Sequence, residues 1–373
     1  MDTGIPNTQK KIGRLKSLIF LLSFFYFSTA VAFAQQLSGS YTIGASGNYA
    51  TFSDAVSDLT SNGISGPVTF EVQAGTYTEQ ILLGAISGAS ETNTITFQSE
   101  SGNAGDVVIQ YAATGTADNY VIRLDNSSHL IFRNLTIQSQ GNGYSWTISA
   151  INELNDLLVE QCVLSAPDWN SRNFNAGNVR LNPSLSSNVR LINNRISGGD
   201  HGLYYVGGSS SSRSPGFELR DNEIAGPFAY GVYLQYLTGA VIEGNTVTMR
   251  GTSWSSSYSM KIDQVEDALR VVGNRLRGSN DEGLEITYSN GTAESPGLVA
   301  NNWIQNKGNR RTVFLYYNSH LNFYHNSINA INGSGSAYSI QYDGAFGQSG
   351  NRIVNNIFKA NVAEAVYVSN SNA

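Results

Sequence analysis

The chain has 373 residues, with 28 acidic and 22 basic side chains, a formal net charge of −6 at pH 7 and a single cysteine. An acidic balance argues against nucleic acid as a partner, because phosphate binding draws on clustered Lys and Arg. One cysteine excludes an intramolecular disulfide framework, so stability has to come from packing.

Residues 1–34 read as a cleaved export signal. Lys10, Lys11, Arg14 and Lys16 precede an apolar run from Leu18 to Phe33, and Ala32-Phe33-Ala34 supplies a small-x-small cleavage site. The run is shorter than the roughly 20 residues a spanning helix needs, and nothing later in the chain resembles a membrane span. Removing it leaves 18 basic and 27 acidic residues, a net charge of −9. The mature chain is therefore expected to be secreted or held at the cell surface.

Residues 35–66 are expected to form an N-terminal cap containing a helix at 52–60. Phe52, Ala55, Val56 and Leu59 fall on one helical face, Ser53 and Asp54 stand near the start, and Gly63 lies past the end. From 67 to 373 the chain reads as stacked coils, beginning with the strands "PVTFEV" (67–72) and "TITFQS" (94–99).

The repeat is an apolar-x-apolar-x-x-Asn-x-apolar unit. It places Asn194, Asn222, Asn245, Asn274, Asn302, Asn326 and Asn356 at one register, with gaps of 28, 23, 29, 28, 24 and 30 residues. Two earlier units, "LIFRNLTI" and "LLVEQCVL", put Leu135 and Cys162 there instead. A second short strand follows each unit, as in "GLYYV" (202–206), "GVYLQ" (231–235), "SMKID" (259–263), "GLEIT" (283–287) and "TVFLYY" (312–317). Short alternating strands at this period, with Gly/Asn/Ser turns, describe an all-β parallel β-helix; a propeller blade needs about 40 residues. In such a stack equivalent turn residues lie about 4.8 Å apart. An inward amide can then donate to one neighbour and accept from the next, and the seven asparagines are read as this structural ladder. The chain stops at Ala373, five residues after a coil strand, and reads as truncated at that end.

The opening resembles the right-handed parallel β-helix (pectin lyase-like) superfamily. The residues that carry the likeness are Tyr49-Ala50-Thr51-Phe52, Ala55-Val56 and "VTFEVQAGTYTEQI" (68–81). Pectin methylesterases open similarly, with a short helix and a strand ending in Gly-x-Tyr-x-Glu, here Gly75 to Glu79. The likeness to exported β-helix proteins of the Bacteroidota type is greater still. It implies the fold and export. The catalytic segments of pectin methylesterases and polygalacturonases do not carry over: no Gln-Asp pair occurs, and "GGDHG" (198–202) only loosely resembles Gly-His-Gly.

With Leu203, Val232, Met260, Leu284, Val313, Tyr338 and Val366 facing inward, the residue after each faces out. That gives a column of Tyr204, Tyr233, Lys261, Glu285, Phe314, Ser339 and Tyr367. Two positions on lies a second, of Val206, Gln235, Asp263, Thr287, Tyr316 and Gln341. Tyr204, Tyr233, Phe314 and Tyr316 are candidates for stacking on sugar rings. Lys261, Asp263 and Glu285 form a charged cluster in adjacent coils that suits a lyase, which needs a base and a cation to stabilise a uronate-derived anion. Asp281 and Glu282 are candidate Ca²⁺ ligands under that alternative; otherwise no cofactor is required. His320 and His325, five apart on one strand, would point to opposite faces and cannot chelate together; His129 stands alone in a turn. "GGSSSSRSPG" (207–216) and "GTSWSSSYS" (251–259) read as flexible insertions.

The expected function is a non-catalytic exported or cell-surface module that binds a polysaccharide or cell-surface glycan, or serves as a rigid stalk. The alternative is a polysaccharide lyase or other carbohydrate-active enzyme acting on acidic polysaccharide.

Overall fold

The computed structural model describes Met1 and residues 35–251, 256–307, 310–331, 338–344, 349–361 and 364–370, the side chains of 338–344 and 369–370 excepted. The expected export signal therefore lies outside the described residues apart from Met1, as does part of the insertion at 251–259. From Gln36 onward the described residues form one parallel β-solenoid. Each regular coil gives two segments to a 22-stranded sheet and one to an 11-stranded sheet. In one coil these are Tyr230–Thr238, Val241–Glu243 and Thr246–Thr248. Among the described residues no helix is long and apolar enough to cross a membrane.

The core is a column of like residues on like. Phe70, Phe97 and Phe132 stack ring on ring, with centroids 4.8 and 5.7 Å apart, and the row continues as Val159, Leu191 and Leu219 in successive coils. All of these are buried. In the last coil Val366 and Val368 are exposed, whereas Val313 and Leu315, two coils earlier in the same rows, are buried.

The helix spans Phe52–Asn62, two residues longer than the pattern indicated. Its N-cap is Thr51, whose side chain accepts from the Asp54 N–H while Asp54 reaches back to the Thr51 N–H. That reciprocal pair satisfies two donors that the first turn leaves open. Glu79 supplies more: its carboxylate accepts from the Phe52 and Ser53 N–H groups at 3.2 and 2.9 Å and from the Ser53 hydroxyl at 2.7 Å. The Tyr77 hydroxyl donates to the Gln73 carbonyl at 2.9 Å, and its ring meets Phe52 edge-on at 5.1 Å. The Gly-x-Tyr-x-Glu segment thus docks the helix on the first coils, with the carboxylate complementing the positive end of the helix.

At the turns, each ladder asparagine bonds to the next. The Asn194 backbone N–H and side-chain amide both donate to Asn222 Oδ1, at 2.9 and 3.0 Å, and the pattern repeats through Asn245, Asn274, Asn302 and Asn326 to Asn356. Each Nδ2 also donates to a backbone carbonyl of an earlier coil, as Asn274 does to Ile242 at 2.9 Å. Cys162 starts the row by donating its N–H to Asn194 Oδ1 at 2.9 Å; burial pushes its thiol up to about 12.

The residue before each ladder position adopts positive φ: Asn134, Gln161, Asn193, Asp221, Gly244, Gly273, Asn301, His325 and Asn355. Asn, Asp and Gly tolerate this left-handed geometry best, so the repeated polar or glycine residue there is a turn signal that the asparagine frame alone did not reveal. His320 and His325 are two such turn residues flanking the strand Leu321–Tyr324, not members of one strand. The insertion at 207–216 is an antiparallel hairpin, Gly208–Ser209 with Ser212–Pro215, not a loose loop. Arg213 ties it to Glu266 at 3.0 Å, and Ser214 joins Ser186 in a buried hydroxyl group with Tyr205.

Candidate functional site

The second strands of the coils present three rows of side chains. The central row runs Arg123, Ser149, Arg180, Tyr204, Tyr233, Lys261, Glu285 and Phe314, each the backbone partner of the next. The row then passes to Gln341 and Tyr367, not through Ser339. In the neighbouring row Tyr316 pairs with Asp343, so Gln341 does not belong there. The coil is displaced by two residues because Ile340, not Tyr338, continues Val313. On the other side His201, Tyr230 and Tyr258 form a flanking row, with Glu282 the partner of Tyr258.

The tyrosines of these rows are paired. Tyr204 and Tyr233 are stacked on each other at 4.8 Å and 7°, and Tyr230 and Tyr258 at 5.1 Å and 7°. Rings in register one coil apart stand at about the inter-strand spacing, so each covers one face of its partner. The expectation of flat tyrosine platforms at Tyr204 and Tyr233 is corrected on this point. Burial raises both phenol pKa values, so both rings stay neutral hydroxyl carriers. Neither hydroxyl bonds to another described residue. The candidates Phe314 and Tyr316 stack on each other at 5.4 Å and gather with two tyrosines absent from the sequence reading: the Tyr316 ring lies 4.2 Å from Tyr317 and 5.5 Å from Tyr288, which is 44% exposed. Tyr288 and Tyr317 are positive-φ corner residues, which no strand alternation flags.

The structure brings Lys261, Asp263 and Glu285 into adjacent coils, and each is engaged. Lys261 Nζ lies 2.6 Å from Glu285 Oε1. Burial alone would lower the lysine pKa, but Glu285 outweighs it and the net shift is upward, so Lys261 is held as a cation and not as a base. Asp263 accepts from Gln235 Nε2 at 2.7 Å and from the Thr287 hydroxyl at 2.8 Å. Glu285 is buried, contrary to its expected exposure, because it sits between the longer Lys261 and Phe314 in the row.

Asp281 and Glu282 are also buried. Glu282 bonds to Arg311 Nε at 2.9 Å, and burial together with Asp281 pushes its carboxyl up to about 8. Among the described residues no group of three or more His, Cys, Asp or Glu is placed to hold a metal ion. His129 is not isolated: its Nδ1 lies 3.0 Å from Asp156.

A last charged group closes the flank. His201 and Asp200 are fully buried, with His201 Nδ1 3.1 Å from Asp200 Oδ2, and Arg172 pairs with the same carboxylate. Burial lowers the histidine pKa while Asp200 works against it. His201 stacks on Tyr230 at 5.2 Å. The segment behind "GGDHG" therefore braces the loop carrying Arg172 and Phe174 against the face.

Residues 116–294 match a protein family described as a right handed beta helix region. That stretch covers coils, not the opening segment that carries the pectin methylesterase resemblance. Two variants of the periplasmic alginate epimerase AlgG superpose with TM-scores of 0.57 and 0.53, both at 14% identity, covering 90% of this chain and 73% and 72% of theirs. A pectin methylesterase from Aspergillus niger covers 76% of this chain and 86% of its own at 14% identity, with a TM-score of 0.39. No curated protein matches the sequence. At these identities the likeness concerns the fold alone: the chain has the right-handed parallel β-helix fold.

Proposed function

We propose that this protein is a non-catalytic β-helix module that binds an extended polysaccharide along the row from Arg180 to Phe314, with Tyr288, Tyr316 and Tyr317 as an aromatic end. The observation that carries the reading is how the charges on this face are used. Lys261 bonds to Glu285, and Asp263 to Gln235 and Thr287, so none of the three is left poised as a base. What remains for a ligand is tyrosine hydroxyls, ring edges and guanidinium groups, repeated at about 4.8 Å over several coils. A chain of sugars can span such a row, and a single sugar meets only a small part of it. The alginate epimerase that shares the fold acts, by its name, on a polysaccharide. The export signal read in residues 1–34 would place the module outside the cell, where such ligands occur.

The test is retention in native gels cast with polysaccharides, followed by titration with oligosaccharides of increasing length. Affinity is expected to grow with chain length as weak contacts are linked. Absence of retention by every polysaccharide tried would leave the rigid stalk as the better reading. Release of unsaturated products from a uronate polymer would establish the lyase instead.

A further inference from the structure

Two arginines in the central row have no acidic partner. Arg123 pairs in the sheet with Ser149 and Ser149 with Arg180, so the two cations stand two coils apart across a serine that is 1% exposed. Most other arginines on this solenoid pair with a carboxylate, as Arg133 does with Glu160, Arg172 with Asp200 and Arg190 with Asp156; among the described residues Arg275, Arg277 and Arg352 are further exceptions. Among the described residues no carboxylate lies within ion-pair distance of Arg123 or Arg180, in a chain with an excess of acidic side chains.

Both guanidiniums are held in place by rings. Arg123 lies 4.1 Å over Tyr120 and donates to the Ala117 carbonyl at 3.3 Å. Arg180 lies 5.3 Å from the Phe174 ring and 5.9 Å from Trp146. Trp146 is itself fixed: a Cβ added at Gly177 would fall 2.2 Å from its ring, so only glycine fits there. The Nε of each arginine is buried without a hydrogen-bond partner. Burial lowers the Arg180 pKa, and the nearby Arg123 adds to that. Two partly desolvated like charges without a counter-ion are costly to keep. A bound anion removes that cost, and a planar guanidinium suits an oxyanion with two parallel N–H bonds.

We propose that Arg123 and Arg180 form an oxyanion subsite at one end of the face, which takes a carboxylate or a sulfate group carried by the glycan. The subsite deepens the glycan-binding reading and rests on it for the identity of the carrier.

The subsite can be read without any polysaccharide. Thermal unfolding of the purified protein is measured in sodium galacturonate, sodium sulfate and sodium chloride at equal ionic strength. The readout is the difference between the wild type and an Arg123→Gln/Arg180→Gln variant, because sulfate stabilises proteins generally. A rise of the melting temperature in galacturonate or sulfate that the variant lacks supports the subsite, and whichever salt gives it identifies carboxylate or sulfate. Equal rises in both proteins overturn it. Should the double variant fail to fold, Arg180→Lys keeps the charge without the planar fork and is expected to lose most of the rise; an undiminished rise counts against the subsite.

Gel retention then separates the two claims. The wild type should be held by polygalacturonate or a sulfated glucan at least about tenfold more tightly than by a neutral glucan of equal length, the factor a single charge-assisted pair can supply. Equal retention by charged and neutral polymers upholds the face and overturns the subsite. No retention by any polymer, with the anion-dependent melting difference intact, overturns the face and upholds the subsite.

Discussion

The Tyr204 and Tyr233 rings lie 4.8 Å apart and 7° from parallel, so each covers the face that the other would have shown to a ligand. Their contribution to binding then resides in hydroxyls and edges. Replacing both by Phe is expected to leave melting nearly unchanged and to weaken glycan retention. Replacing both by Ser is expected to lower stability as well, since a stacked pair is worth about 0.5–1.5 kcal/mol beyond its buried area. Chemical denaturation alongside gel retention checks both; a Phe double variant that binds like the wild type would remove the hydroxyls from the contact.

Asn274 is bonded on both sides, accepting from the Asn245 N–H and amide at 2.9 Å each and donating to Asn302 at 3.0 Å. Asn274→Leu leaves those buried partners unpaired and is expected to cost about 1–3 kcal/mol. Ligand binding should be untouched, because the ladder faces the core and not the row of tyrosines. An unchanged urea midpoint would refute the ladder's energetic role.

Glu79 serves the helix across 26 residues of sequence, through the Ser53 N–H and hydroxyl. Glu79→Ala is expected to destabilise by about 0.5–2 kcal/mol, the range for losing a helix cap. Loss of protection should concentrate in residues 52–62 in hydrogen exchange. Uniform loss along the solenoid would show that the helix does not depend on this carboxylate.

Glu282 gives a pH signature. Its folded pKa, about 8, lies above the ordinary carboxylate value, chiefly through burial. The folded state then holds a proton that the unfolded state releases, so this contribution is fully present below about pH 4.5 and is lost as pH rises through 8. Glu282→Gln mimics the protonated form. The variant should match the wild type near pH 5 and exceed it in melting temperature near pH 8; a parallel pair of pH profiles would show that Glu282 is ionised throughout.

Much of the architecture was legible because it recurs. An asparagine at one register, spaced by 23 to 30 residues, identifies a turn ladder, and strict alternation identifies which face of each second strand is buried. Leu203, Val232, Met260, Leu284 and Val313 are all buried in the direction the alternation indicates. The slip at 338–344 shows the limit of that signal. A period of two fixes the face but is blind to a shift of two residues, so Ile340 and Tyr338 were equally good partners for Val313 on pattern alone. Tyr288 and Tyr317 were missed because corner residues follow no strand period.

By itself the sequence determined the solenoid, its turn asparagines and the sidedness of its strands, because these depend on periodic apolar burial and on one amide per coil. Only the tertiary structure decided what the outward rows can do. Stacking sets residues 24 to 31 positions apart side by side, and the partner each one meets sets its chemistry. Lys261 meets Glu285, which balances its charge, Tyr204 meets Tyr233, which covers one of its faces, and Arg123 and Arg180 meet rings instead of carboxylates and keep their charge available.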